Sequence, residues 1–172
     1  MDTTFVALRL VHILCAVYWA GTILFVAIFL EPAVRGAGPA GVPVMQGLHR
    51  LGHFNIMPVI ALLALLSGVA LLWMDSGGFT SPWMGSPQGA ALSLGGLAGV
   101  LAFLVGMFVM RPTALRMMAL GAEAAKLPEG PARDAAMAPM GALRQRSKTS
   151  VRWTAGLLFV AAVTMAVARY LG

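Results

Sequence analysis

The chain has 172 residues, of which 59% are apolar and 10% charged, whereas a soluble domain carries about 25% charged residues. The net charge is +6, and the single cysteine, Cys15, leaves no internal disulfide. This balance excludes an ordinary soluble enzyme. It makes membrane topology, rather than nucleic acid, the reason for the basic excess.

Residues 1–6 carry Asp2 and no basic side chain, and no small-residue cleavage site closes a short apolar run. A removable signal peptide is therefore not expected, and the first span is expected to be its own insertion signal. Stretches 10–30, 54–74 and 90–110 each run 21 residues without a formal charge. Crossing a hydrocarbon core of roughly 30 Å as helix takes about 20 such residues. The fourth stretch, 153–168, is shorter, but Arg152 and Arg169 at its ends can snorkel to the interfaces. The expected fold is all-α: an integral membrane four-helix bundle, one transmembrane domain over residues 1–172. Its spans are placed at about 7–30, 54–74, 90–110 and 152–170. No room is left for an additional soluble domain.

On the first span, His12, Cys15, Trp19 and Thr22 are spaced three, four and three residues apart and so share one face. A polar-edged stripe on an otherwise apolar helix should face the bundle interior. Buried there, a neutral imidazole has one donor and one acceptor to satisfy, with Ser67, Ser93, Thr164 and Tyr170 as candidate partners. Three roles stay open for His12. It is a hydrogen bond tying two helices together, an axial ligand to haem iron, or a metal or proton-relay group. On the haem reading, His12, Cys15, Trp19 and Thr22 form the cofactor stripe and haem b is the cofactor. No second histidine lies at matching depth, so the haem would be five-coordinate or borrow a further ligand.

In the loop 31–53, Gln46, His49, Arg50 and His53 form a polar stripe opposite Val44, Leu48 and Leu51, the pattern of a short interfacial helix. His49 and His53 also have the i,i+4 spacing of two-histidine metal sites, which makes them a second candidate pair. Pro58 is expected to bend or start the second span. The loop 75–89 is rich in Gly, Ser and Pro and is flanked by Trp73 and Trp83, which read as interfacial anchors. Gly95, Gly99, Ala102 and Gly106 mark one face of the third span. Such a stripe lets backbones approach closely, against the fourth helix of the same bundle or against a homodimer or other membrane partner. Pairs such as Met107 and Met110 invite Cu(I), but the methionines are scattered and equally suit gap filling.

The loop 111–151 is expected to be partly helical, with one piece from Pro112 to Lys126 and a second over 132–148 leading into the fourth span. Arg144, Arg146 and Lys148 at the end of that piece are expected to meet anionic lipid headgroups. Loops 31–53 and 111–152 together hold ten basic residues against two on the other face. The positive-inside rule then predicts a bacterial inner-membrane protein with both termini outside and the two basic loops cytoplasmic.

The first-helix pattern His12-x6-Trp19-x-Gly21 resembles that of a loose group of small bacterial membrane proteins. The group includes the copper-resistance D-type domain, the haem-dependent protoporphyrinogen oxidases and uncharacterised four-helix families. The Gly36-Ala-Gly-Pro-Ala-Gly41 loop looks most like one of the last. The resemblance covers about 20 residues and the helix count, and it implies a haem-binding or redox-associated role with His12 as iron ligand. The oxidases carry basic residues within later helices, and the spans here have none. No phosphate-cradling loop, serine elbow, carboxylate pair or zinc spacing is present, and the spans hold no Asp or Glu. The expected function is thus a non-catalytic accessory or ligand-holding membrane protein. The alternatives are a haem-dependent redox enzyme and a structural subunit of a larger respiratory or photosynthetic complex. Expected partners are the lipid bilayer and a homodimer or larger membrane assembly, and not nucleic acid.

Overall fold

The computed structural model describes residues 2–172, apart from the side chains of Pro39 and Ser81. Its elements in chain order are α1 (Thr3–Phe25), α2 (Glu31–Gly36), α3 (Val42–Arg50), α4 (His53–Asp75), α5 (Ser81–Met84), α6 (Pro87–Val105), α7 (Arg111–Ala124), α8 (Pro131–Met137) and α9 (Met140–Ala168). Four helical stretches are long and apolar enough to cross a membrane: Thr3–Gly36, His53–Asp75, Pro87–Ala124 and Pro131–Ala168. The protein is a multi-pass membrane protein built as an all-α four-helix bundle, and there is no strand among the described residues. α1 packs on α4, α4 on α6, α6 on α9 and α9 back on α1, so each span neighbours the next in sequence.

Local chemistry sets where these helices begin. The Asp2 carboxylate accepts from the Thr4 N–H at 2.9 Å and caps α1. Ser86 Oγ accepts from the Gly89 N–H at 3.1 Å and caps α6, with Pro87 at the first helical position. Gly52, at φ +80°, takes the left-handed conformation that separates α3 from α4.

The first and third spans share a device that the hydropathy pattern does not show. Each passes through one π-helical turn, Val26–Leu30 and Gly106–Met110, in which the Glu31 and Arg111 N–H groups reach back five residues, to the Val26 and Gly106 carbonyls. Each turn ends two residues before a proline, Pro32 or Pro112. Proline has no N–H and its ring presses on the carbonyl four residues back; one wide turn relieves that crowding and lets the helix continue. The first helix therefore runs on to Gly36 and the third to Ala124, past the expected span ends at 30 and 110. The charges that begin at Glu31 and Arg111 mark where the apolar run ends, not where the helix ends. α9 likewise starts at Met140, so Arg144–Arg152 belongs to the same helix as the fourth span, and that helix ends at Ala168.

The bundle interior is made of small side chains around a few large ones. Trp19, Ile23, Met57, Ala61, Ala64, Ala102, Ala155 and Leu158 form the buried cluster. Leu14, Val17, Leu66, Phe108 and Phe159 point outward and are exposed. Among lipid tails that exposure is no liability, and helix association rests on close van der Waals packing, which small residues permit.

Candidate functional site

His12 lies on α1 where it faces α4. Its Nδ1 is 2.7 Å from the Ala64 carbonyl oxygen. That oxygen can only accept, so Nδ1 carries the proton and, in the neutral ring, Nε2 carries the lone pair. The same carbonyl accepts from Ser67 Oγ at 3.1 Å, and Ser67 also donates to the Leu63 carbonyl at 2.6 Å. The approach is possible because residue 68 is glycine: a Cβ there would sit 2.8 Å from His12 Cε1.

The partner of His12 is thus a backbone carbonyl and none of the hydroxyls expected from depth. Ser67, Ser93 and Thr164 donate to carbonyls three or four residues back in their own helices, and Tyr170 is 76% exposed. In apolar surroundings a hydroxyl finds its nearest acceptor within its own helix. Of the other stripe residues, Trp19 lies in the core, Cys15 packs partly buried against it and Thr22 is half-buried.

The surroundings of His12 do not fit a macrocycle. Its ring sits against the Gly68 backbone, closer than a methyl group would allow. His12 lines neither the open groove beside α9 nor the small cavity beside Trp19. The lone pair on Nε2 is the right donor for iron, but the α1–α4 contact would have to open to admit a flat ring.

A second polar tie lies at the basic end of the bundle and was not anticipated from the sequence. Arg111 Nε donates to the Phe54 carbonyl at 3.0 Å, and its terminal nitrogen reaches Asn55 Oδ1 at 3.2 Å. Phe54 precedes Pro58 by four residues, inside α4. Pro58 has no N–H, so the Phe54 carbonyl lacks its helical donor, and Arg111 supplies one from the third span. The sequence signal was present: a proline six residues into a helix leaves an acceptor facing its neighbours, and Arg111 ends the neighbouring apolar run. Among the described residues, the bonds of His12 and Arg111 are the only side-chain hydrogen bonds that join one span to another.

Beside Arg111, a cavity of about 50 Å³ is lined by residues that include Trp19, His53, Met57, Met107, Met110 and Thr154. This volume suits one or two water molecules and is far below the roughly 300–1,000 Å³ of a ligand pocket. Three methionines and a histidine meet here although they are scattered in sequence. The Arg111 guanidinium shares the cavity and opposes a Cu(I) ion in it.

The His49 and His53 pair is not realised as a helical two-histidine site. α3 stops at Arg50, Gly52 reverses the chain, and α4 starts at His53, so the i,i+4 spacing crosses a break. Both rings lie against Phe54 instead, at centroid distances of 5.9 and 5.4 Å. Among the described residues, no group of three or more His, Cys, Asp or Glu side chains converges.

The small-residue stripe of the third span faces inward. A Cβ on Gly95 would meet Thr164 Oγ1 at 2.7 Å and Met165 Cγ at 2.9 Å, and one on Gly99 would touch Leu65. Ala102 is fully buried, and Gly106 lies at the small cavity. Within the bundle, Gly95 thus packs against the fourth span and Gly99 against the second, while a Cβ on Gly106 would meet nothing within 4 Å. Arg144 is exposed and Lys148 half-buried on the first turns of α9, while Arg146 lines an open groove beside the third span.

No protein-family model matches this chain, and neither a curated protein nor a solved structure is significantly similar to it.

Proposed function

We propose that this protein is a small non-catalytic accessory protein of the bacterial inner membrane. Both termini lie outside, the basic loops lie in the cytoplasm, and the polar groups between spans hold the bundle together. The observation that carries this reading is the use of His12 and Arg111. Each is bonded to a backbone carbonyl of α4. His12 spends its Nδ1–H and Arg111 its Nε–H on these carbonyls, which gives both side chains a role in holding the spans together. Ten basic residues on one face against two on the other support the orientation.

A second reading, a haem b site on His12, is favoured by one feature. The Nδ1–H bond to Ala64 fixes the tautomer and leaves Nε2 free, the arrangement that orients metal-bound histidines. The tight seat on Gly68 stands against it. An absorption spectrum of detergent-purified protein from haem-replete cells, oxidised and reduced, decides between them. Colourless protein is expected. A Soret band that disappears in His12→Ala overturns the proposal and makes the haem reading the correct one.

A further inference from the structure

An open groove of about 580 Å³ lies at the basic end, between the third span and α9. One wall is Val105 and Val109; the other includes Gln145, Thr149 and Trp153, at four-residue steps along one face of α9, with Arg146 beside Gln145. From Gln145 to Trp153 the helix rises about 12 Å, and over that distance the lining changes from polar to apolar. Val109 and Val105 continue the apolar wall in the same direction, since the third span runs antiparallel to α9. Trp153, 66% exposed, stands where an indole marks the headgroup boundary.

We infer that this groove seats one anionic phospholipid of the cytoplasmic leaflet, with the phosphate at Arg146 and an acyl chain against Val105, Val109 and Trp153. The choice of leaflet rests on the proposed orientation. Three observations select this occupant. The groove opens sideways to the surroundings of the bundle and, at about 580 Å³, has room for part of a lipid. Its single charged lining residue is cationic, and Arg144, Lys148 and Arg152 on the same helix reinforce it. Its polarity changes along the membrane normal in the order of a lipid's own. Basic pockets between spans on the cytoplasmic side have this chemistry, and a guanidinium offers a phosphate two parallel donors. Arg144 and Lys148 do not line the groove and contribute only diffuse attraction.

The test uses the full chain reconstituted in phosphatidylcholine vesicles containing a minor fraction of phosphatidylglycerol brominated on its acyl chains. Bromine quenches a neighbouring indole. The Trp153 signal is the difference between wild type and Trp153→Phe, with brominated phosphatidylcholine as the reference. Brominated phosphatidylglycerol is expected to quench Trp153 well beyond its mole fraction. Arg146→Gln is expected to lower that preference about fivefold, the worth of one basic residue at an anionic surface, while Lys148→Gln leaves most of it. Val109→Phe, which fills the groove without changing charge or adding an indole, is expected to abolish the preference even if Arg146→Gln folds poorly. Equal quenching by the two lipids overturns the inference, as does an equal loss in Arg146→Gln and Lys148→Gln. Protection of Trp153 from both lipids overturns it too, since the groove is then covered by the protein itself or by a second copy of the chain.

Discussion

Arg111 on the third span donates its Nε–H, at 3.0 Å, to the carbonyl of Phe54, the acceptor that Pro58 leaves without a helical donor. The two spans are therefore joined by a defect in one helix that a side chain of the other repairs. Such a repair is worth more than an ordinary surface bond, because the alternative is an unsatisfied carbonyl at the edge of the hydrocarbon.

Arg111→Met keeps the apolar stem and removes the donor. It is expected to destabilise the bundle by about 1–3 kcal/mol, the cost of an orphaned buried acceptor. In a Pro58→Ala background the backbone N–H restored at that position serves the Phe54 carbonyl, and the cost of Arg111→Met should fall by about 1 kcal/mol or more. Reversible unfolding in mixed detergent micelles measures the cycle. Strict additivity would show that Arg111 does not repair the proline defect.

His12 and Gly68 form a second coupled pair, one side chain large because the other is absent. Gly68→Ala drives a methyl group into the imidazole and is expected to cost about 1–3 kcal/mol, as overpacking does. His12→Ala loses an intramembrane hydrogen bond of about 0.6–1.7 kcal/mol. Together they should cost less than their sum, since removing the ring removes the clash. The same unfolding assay reads this out, and a double variant as weak as the sum sinks the contact.

Gly95 and Gly96 are adjacent, yet only Gly95 meets another helix. Gly95→Val would push against Thr164 and Met165, whereas a Cβ on Gly96 meets nothing within 4 Å. Gly95→Val is expected to destabilise by about 1–3 kcal/mol and Gly96→Val to stay within about 0.5 kcal/mol of wild type. If the Gly96 variant were the weaker one, the third span would present a different face to the fourth.

Topology is checked by labelling. In a Cys15→Ala background, Thr80→Cys in the short loop should react with a membrane-impermeant maleimide on intact spheroplasts. Gln145→Cys, which is exposed on α9, should react only after permeabilisation. The reverse pattern would place the basic loops outside and withdraw the proposed orientation.

Four spans, their order and the inward stripe of His12 and Trp19 were legible in the sequence, because apolar runs of about 20 residues have one stable solution in a bilayer. The helical piece after Pro112 and the break at Leu127–Pro131 were legible too, but the second piece, expected over 132–148, is split at Ala138–Pro139 into α8 and the start of α9. The true helix lengths were not. A run of hydropathy ends at the first charge, whereas Glu31 and Arg111 sit inside helices that π turns carry past Pro32 and Pro112. The i,i+4 spacing of His49 and His53 assumes one helix, and Gly52 makes two.

What the tertiary structure alone decided was which polar atoms meet. Depth along a span ranks side-chain partners, but it cannot rank backbone carbonyls, which are present at every level. His12 bonds to Ala64 because Gly68 opens the way, and Arg111 bonds to Phe54 because Pro58 frees the acceptor. Both choices depend on the rotation of two helices against each other. That rotation is set by close packing of small residues such as Gly95, Ala102 and Ala155, a property of the assembled bundle and of no single stretch of sequence.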